Sequence, residues 1–300
     1  MKNRGNYIAF GIVILILLVF IIATVINALN EREIELIQLS PQTSRQMMGY
    51  ILKTKNNKLI IVDGGTKGDT QNLMKYIKAN NNEVDYWFIT HAHDDHAGAF
   101  TEIVNNTEVE IGKIYISLNE YEWYEENESQ RAEFSRLLIE TVNSEKIKNV
   151  VESPNLNQII QIDEIKAEIL GIRNPEITEN PGNEQSMVIK FDTDKTSLLI
   201  LGDTGEKSSE KLLQTQKEKL KSDIVQMSHH GQSGATEELY GQINPTICLW
   251  PTPEWLWNNN AGEGTNTGHW KTFETRSWMK ELGVKKNYIA KDGDITITID

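Results

Sequence analysis

The sequence predicts an α/β layered protein, an αββα sandwich over residues 30–300 preceded by one N-terminal transmembrane helix. Three observations point there. Short β-branched and aromatic runs fall into two groups, each followed by amphipathic stretches, the pattern of two sheets packed together with helices outside both. No linker divides residues 34–300, so a single domain is expected. Finally, Tyr7 to Ile26 is an uncharged apolar run of twenty residues, which at about 1.5 Å per residue covers about 30 Å, the thickness of the hydrocarbon layer.

Lys2 and Arg4 precede that run, while Glu31, Arg32, Glu33 and Glu35 follow it. Positive residues stay on the cytoplasmic side. Residues 1–6 are therefore expected inside, 7–29 as a single-pass anchor in the cell membrane, and 30–300 outside. A cleaved signal peptide is the competing reading, but its apolar region is usually about 7 to 15 residues with a small-residue cleavage site. Here no Ala-x-Ala follows the run. Cys248 is the only cysteine, which argues against a lipid-modified N-terminus and excludes an intramolecular disulfide. The net charge of −13 argues against a basic, nucleic-acid-wrapping surface. It leaves room for an enzyme acting on phosphates, because bound cations can supply local positive charge.

Along the domain, strands are expected at Ile34–Leu39, Met48–Lys53 and Lys58–Val62, the last ending in the turn Asp63-Gly64-Gly65. Residues 70–80 carry Leu73, Met74 and Ile77 at helical spacing. Tyr86–Thr90 reads as a buried strand, a helical pattern starts at Ala97, and another strand covers Lys113–Leu118. Glu120 to Lys146 reads as one or two surface helices. Short strands follow at 159–162 and 165–170, then a hairpin of Ser186–Phe191 with Ser197–Leu201. A helix from Glu206 to Lys221, strands at Asp223–Ser228 and Thr246–Trp250, a loop from Pro251 to Gly268 and a helix from Trp270 to Leu282 complete the pattern. Two strands flank Lys291-Asp292-Gly293 at the end.

Three strand ends carry metal-type ligands. His91-Ala92-His93-Asp94-Asp95-His96 places three of the six histidines within six residues, and imidazole with carboxylate suits a borderline divalent metal. Gly202-Asp203 closes the hairpin, and His229-His230-Gly231 closes the strand after it. Asp203 alone reads as a turn residue; the three ends together make a converging site with ligands for two ions.

His-x-His-x-Asp-His after a strand, a later Gly-Asp and a later His-Gly resemble the metallo-β-lactamase superfamily of binuclear hydrolases. Asn183-Glu184-Gln185-Ser186-Met187-Val188, Leu199 to Asp203, and His229 to Ser233 are more narrowly similar to the hydrolase domain of the ComEC family of DNA-uptake proteins. Asn266-Thr267-Gly268-His269, Leu282-Gly283 and Lys291-Asp292-Gly293 resemble the end of that domain. The resemblance implies that His91 and His93 hold a first metal, that Asp95, His96 and His230 hold a second, and that Asp203 bridges them. It places His229 toward substrate or in the supporting shell. Many superfamily members put a third histidine on the first metal, but no histidine lies between His96 and His229. Asn183 occupies that neighbourhood, so the first metal is expected to be held more weakly. Zinc is the superfamily default, and an oxygen-richer site shifts the preference toward manganese.

Two cations about 3.5 to 4 Å apart lower the pKa of a bridging water toward neutrality and stabilise attacking and leaving oxygens. Asp94 could orient or deprotonate that water, or simply be a helix cap or an exposed acid. His269 could donate to a phosphate oxygen or protonate a leaving group. Trp250, Trp255 and Trp257 could wall the site or pack the core. The expected function is that of a membrane-anchored extracytoplasmic phosphodiesterase acting on a phosphodiester such as DNA. The alternatives are a phosphorylcholine-type esterase, a lactam or lactone hydrolase, and, in another class, a non-catalytic metal-binding surface sensor or adaptor. No protein partner can be read from the sequence.

Overall fold

The computed structural model of the chain describes residue 10, residues 12–22 and residues 32–299. Phe10 and residues 12–22 are helical and exposed. Among the described residues no helix is long and apolar enough to cross a membrane. The rest of the predicted anchor over 7–29 lies outside the described residues.

The domain opens with β1 (Glu35–Gln38), β2 (Gly49–Lys53), β3 (Leu59–Asp63), β4 (Glu83–Ile89), β5 (Glu110–Ile116) and β6 (Val151–Glu152). It continues through β7 (Ile159–Ile162), β8 (Ile165–Gly171), β9 (Val188–Asp192), β10 (Ser197–Ile200), β11 (Ile224–Gln226), β12 (Ile247–Trp250) and β13 (Lys286–Ile289), and closes with β14 (Ile295–Thr298). These strands build two seven-stranded sheets, in the orders β14-β1-β2-β3-β4-β5-β6 and β13-β12-β11-β10-β9-β8-β7.

Side-chain alternation along each strand assigns the layers. In the first sheet Tyr50, Leu52, Ile60, Val62 and Phe88 face the second sheet, where they meet Ile169, Ile189, Phe191, Leu198 and Ile200. Their neighbours Ile51, Ile61, Trp87 and Ile89 face outward onto Leu73 and Ile77 of helix Thr70–Ala79 and Phe100 and Ile103 of helix Asp94–Asn106. On the far side Leu199, Val225, Cys248 and Trp250 pack against Leu212, Leu239, Tyr240 and Met279 from the helices Glu206–Thr215, Glu237–Ile243 and Thr272–Glu281. Three apolar layers separate four structural ones, which is the αββα sandwich the strand pattern predicts.

Several local expectations change. Glu120 to Lys146 resolves into two helices, Tyr121–Asn127 and Ala132–Val142. The helix from Glu206 ends at Thr215 and continues only as a short 3-10 turn at Lys217–Lys219, rather than reaching Lys221. Helices Glu237–Ile243 and Glu254–Trp257 were not expected. The last two strands do not pair with each other. β13 joins β12 in parallel, whereas β14 crosses to the first sheet and pairs with β1, Glu35 opposite Thr298.

β3, β4 and β5 are mutually parallel in the first sheet, as are β10, β11 and β12 in the second. The loops following β3, β4, β10 and β11 meet at one end of the sandwich, and ligand sites in open α/β sheets form outside such carboxyl ends.

Candidate metal centre

β4 delivers the first cluster. Its last residues are buried between the two cores, and the helix begins at Asp94 with His93 as its N-cap, three residues before the expected start at Ala97. Successive helical residues are about 100° apart, so the first turn splits the acidic pair. Asp95 and His96 turn inward and are buried, at 2 % and 0 % exposure. Asp94 turns outward, where its carboxylate accepts from Arg45 at 2.6 Å and lies 3.6 Å from Arg131. This arrangement makes Asp94 an ion-paired rim residue rather than a group facing the cluster.

The second sheet brings the other strand ends. Gly202 takes φ +59, and a Cβ there would lie 2.9 Å from Ser186 Oγ and 3.1 Å from Thr90 Cβ, so only glycine lets the β10 turn approach β4 this closely. Asp203 follows, its backbone N–H donating to Ser186 Oγ at 2.9 Å. After β11, His229 and His230 both occupy left-handed backbone, at φ +49 and +56, followed by Gly231 at +79. Left-handed conformations cost a non-glycine residue about 1–3 kcal/mol and persist only where the surroundings enforce them. Here Ser228 does so: its N–H donates to Tyr240 Oη at 3.0 Å and its hydroxyl to Thr204 O at 2.6 Å.

Asp203 is the hub. Its carboxylate lies 3.2 Å from His96 Nε2, 3.7 Å from His230 Nε2, 3.8 Å from His91 Nε2 and 4.0 Å from His229 Nε2. Two triads have converging ligand atoms: His91, His96 and Asp203, and Asp95, His96 and His230. His93 joins neither triad; its Nε2 pairs with Glu128 Oε1 at 2.9 Å, and its ring centroid is 4.4 Å from that of His91. The structure thus brings His91, Asp95, His96, Asp203 and His230 together, with His229 at the mouth.

Among the described residues, nine buried side-chain polar atoms have no hydrogen-bond partner, and seven of them surround this point. They include Nε2 of His91, His96 and His230, and Oδ1 of Asp95 and Asp203. An unsatisfied buried polar group costs about 1–3 kcal/mol, so a protein keeps so many in one place only if something else satisfies them. Nitrogen and carboxylate oxygen donors at this spacing fit divalent metal ions. Asn183 Oδ1 is also unpaired, 6 % exposed, while its Nδ2 lies 3.3 Å from His229 Nε2. The amide therefore stands beside His229 at the edge of the cluster.

An outer ring fixes the ligands. Asp63, fully buried at the end of β3, accepts from Thr90 N and Oγ1, both at 2.7 Å, and holds His96 Nδ1 at 2.7 Å. Its φ of +56 turns it out of the strand, so part of the turn expected of Asp63-Gly64-Gly65 is a support for a ligand. His230 Nδ1 is held by Pro251 O at 2.9 Å and His229 Nδ1 by Ser233 O at 2.7 Å. Both rings therefore present Nε2 to the centre. Gln46 donates to Asp95 Oδ2 at 2.9 Å. Sequence reading missed Asp63, Glu128 and Gln46. Asp63 had a signal, an acid closing a buried run; Glu128 and Gln46 had none, since their neighbours are decided by the tertiary fold.

The charges interlock. Burial, reinforced by neighbouring His96 and His93, pushes His91 well below the ordinary imidazole range, and burial lowers His229 against the pull of Asp203. Burial opposes the charged form of His96 as well, but Asp203 and Asp63 on either side raise it well above its ordinary value. His230 is raised in the same way by Asp203 and Asp95. Burial would raise both carboxyls, yet the imidazoles outweigh it. Asp95 is held well below the usual carboxylate range by His230 and His96, and Asp203 by His96 and His230. The two raised imidazoles face the two depressed carboxyls, a set in which divalent cations can take the place of protons.

His269 is not gathered in. It is exposed, with its ring stacked 4.5 Å from Trp270, and no polar contact joins it to the cluster. Trp250 is fully buried core. Trp257 packs edge-on to it at 5.3 Å under the Arg276 guanidinium at 3.9 Å, and Trp255 donates to Ser44 O at 2.8 Å. Core and loop packing account for all three indoles.

A model of the metallo-β-lactamase superfamily matches residues 48–242, and the chain belongs to that superfamily. ComE operon protein 3 of Bacillus subtilis (strain 168) is 26% identical over 171 residues, covering 56% of this chain and 20% of that protein. The chain thus spans about one-fifth of the length of this relative, and the likeness supports the ComEC-like branch. Among solved structures, the metallo-β-lactamase fold protein YhfI from Bacillus subtilis aligns with TM-score 0.54 at 12% identity, over 88% of this chain and all of that one. CmlA, a diiron β-hydroxylase from Streptomyces venezuelae, aligns with TM-score 0.53 at 10% identity, over 89% of this chain and 54% of that one. At these identities the likeness is one of fold.

Proposed function

We propose that this member of the metallo-β-lactamase superfamily is a metal-dependent hydrolase that cleaves a phosphodiester. The observation that carries the reading is the pair of buried triads that share His96, one of them containing Asp203 and the other lying beside it through His230, 3.7 Å from that carboxylate. By the family pattern one ion would be held by His91, His93 and Asp203 and the other by Asp95, His96 and His230, with Asp203 shared; His93 would offer Nδ1, because its Nε2 is engaged by Glu128. When bound, such ions supply Lewis-acid polarisation and bring the pKa of a water toward neutrality. The chain's own residues do the rest. Asp63 and Pro251 O fix the rings of His96 and His230, so no reorganisation is needed when the site is filled. Asp203 balances the positive charge gathered between the two positions. His229, the one partly exposed member with its side chain at 20 % exposure, faces arriving substrate; its lowered pKa leaves Nε2 able to accept a proton or steer a reacting oxygen.

A phosphodiester is favoured over a lactam or lactone because Asn183 replaces the third imidazole, as in the ComEC-like pattern, and that pattern belongs to proteins of DNA uptake. Zinc is the expected ion, and the amide of Asn183 in place of an imidazole would shift the preference toward manganese. The same proposal places the domain outside the cell, held by residues 7–29, with the N-terminus cytoplasmic. An external protease should then digest the domain in intact cells, and protection would overturn this placement. For activity, the full chain with zinc or manganese is assayed on bis-p-nitrophenyl phosphate and single-stranded DNA. Metal-dependent turnover of either is expected; a protein that binds metal yet cleaves neither refutes the phosphodiesterase reading.

A further inference from the structure

Arg131 borders the centre without being used by it. Its guanidinium sits 3.9 Å from Asp95 Oδ1, 3.6 Å from Asp94 Oδ1 and 3.8 Å from Glu128 Oε1, and its side chain is 38 % exposed. Arg45 stands on the other side of Asp94, bound to it at 2.6 Å. A cation placed merely to neutralise this acidic rim would close to hydrogen-bond distance, as Arg45 does. Arg131 instead stands off from all three carboxylates, and its side-chain N–H groups donate no hydrogen bond among the described residues. The guanidinium is a planar fork matched to two oxygens of a tetrahedral or planar oxyanion. Here it is part-exposed, 3.9 Å from the candidate ligand Asp95, and ion-paired at 3.6 to 3.9 Å without spending its N–H groups on a hydrogen bond.

We propose that Arg131, kept at the rim by Asp94 together with Arg45, is the anion-binding group of the centre and selects substrates that carry negative charge at the reacting group. This rests on the phosphodiester reading above. It also gives Asp94 a place: as the positioning residue that holds two guanidiniums beside the centre, rather than as a base.

The test compares the metal-loaded full chain with Arg131→Gln, Arg131→Lys and Arg45→Gln on anionic bis-p-nitrophenyl phosphate and neutral p-nitrophenyl acetate. Inorganic phosphate binding is measured on each protein by calorimetry, and metal content is checked in parallel. Arg131→Gln should raise KM for the phosphodiester and the Kd for phosphate by about tenfold, the scale of a lost charge-assisted contact. Metal content and acetate turnover should stay within about twofold. Arg131→Lys should recover part of the loss, and Arg45→Gln should cost less than Arg131→Gln. Unchanged phosphate affinity in Arg131→Gln, or equal losses on both esters together with lost metal, would overturn the proposal. If no protein cleaves the phosphodiester but phosphate affinity still falls with Arg131, the phosphodiesterase reading fails and the anion site stands.

Discussion

The two halves of the centre are built to different standards. Around Asp95, His96 and His230, each ligand has a dedicated outer partner: Gln46, Asp63 and Pro251 O respectively, at 2.9, 2.7 and 2.9 Å. Around His91 the support is looser. His91 Nδ1 lies 3.1 Å from Thr90 Oγ1 and 3.4 Å from Ser186 Oγ. His93 has Glu128 Oε1 at 2.9 Å, and the amide of Asn183 stands beside His229 at 3.3 Å. Outer-shell partners fix tautomer and ring direction and are typically worth 10–100-fold in affinity or activity. The comparison teaches that the count of ligand-type residues in a motif does not measure a site; the hydrogen bonds behind them do.

The largest effect should come from the residue the two halves share. Asp203→Ala is expected to reduce bound metal from two ions to at most one per chain, by elemental analysis, and activity by at least about a hundredfold. Full activity in that variant would sink the two-ion arrangement. Next, Asp63→Asn should lower affinity at the second position by about 10–100-fold while sparing the first. Equal losses at both would mean the halves are not independent. Glu128→Gln should have the mirror effect, about tenfold or less and confined to the first position, because His93 keeps other neighbours in place.

The smallest effect is in pH. His96 and His230 have raised pKa values without metal, so their pairing with Asp63, Asp203 and Asp95 stabilises the metal-free fold fully below the ordinary value of 6.5 and is lost as pH rises through the raised values. Metal takes the deprotonated rings, so its affinity moves the opposite way. The rise in Tm on adding zinc should therefore grow from pH 6 to pH 8, by a few degrees. A rise that shrinks over that range would contradict the charge assignment.

Much of this was legible in one dimension. The alternation of Leu36-Ile37, Ile60-Ile61 and Leu198-Leu199 between cores follows from period-2 geometry, and the strand ends carrying ligands followed from apolar runs that stop at His91, Asp203 and His229. Where the reading fell short, long-range neighbours decided. The expected start at Ala97 moved back to Asp94 because the polar residues His93 to His96 serve as the helix N-terminus. Asp94 was drawn outward by Arg45, 49 positions away in sequence. His269 stayed with Trp270 on an exposed loop. The terminal strands join different sheets, β14 on the edge of β1 and β13 on β12, which the sequence left open.

The sequence by itself determined the layered fold and the chemistry of the centre, because side-chain period and ligand type are properties of residues and their spacing. Only the tertiary structure decided which atoms face one another: that Asp63 orients His96, that Glu128 holds His93 Nε2, and that Arg131 stands at the rim beside Asp95. Those relations join residues 33, 35 and 36 positions apart, and no local pattern encodes them. They exist because two sheets pack face to face and bring the ends of separate strands within hydrogen-bond reach.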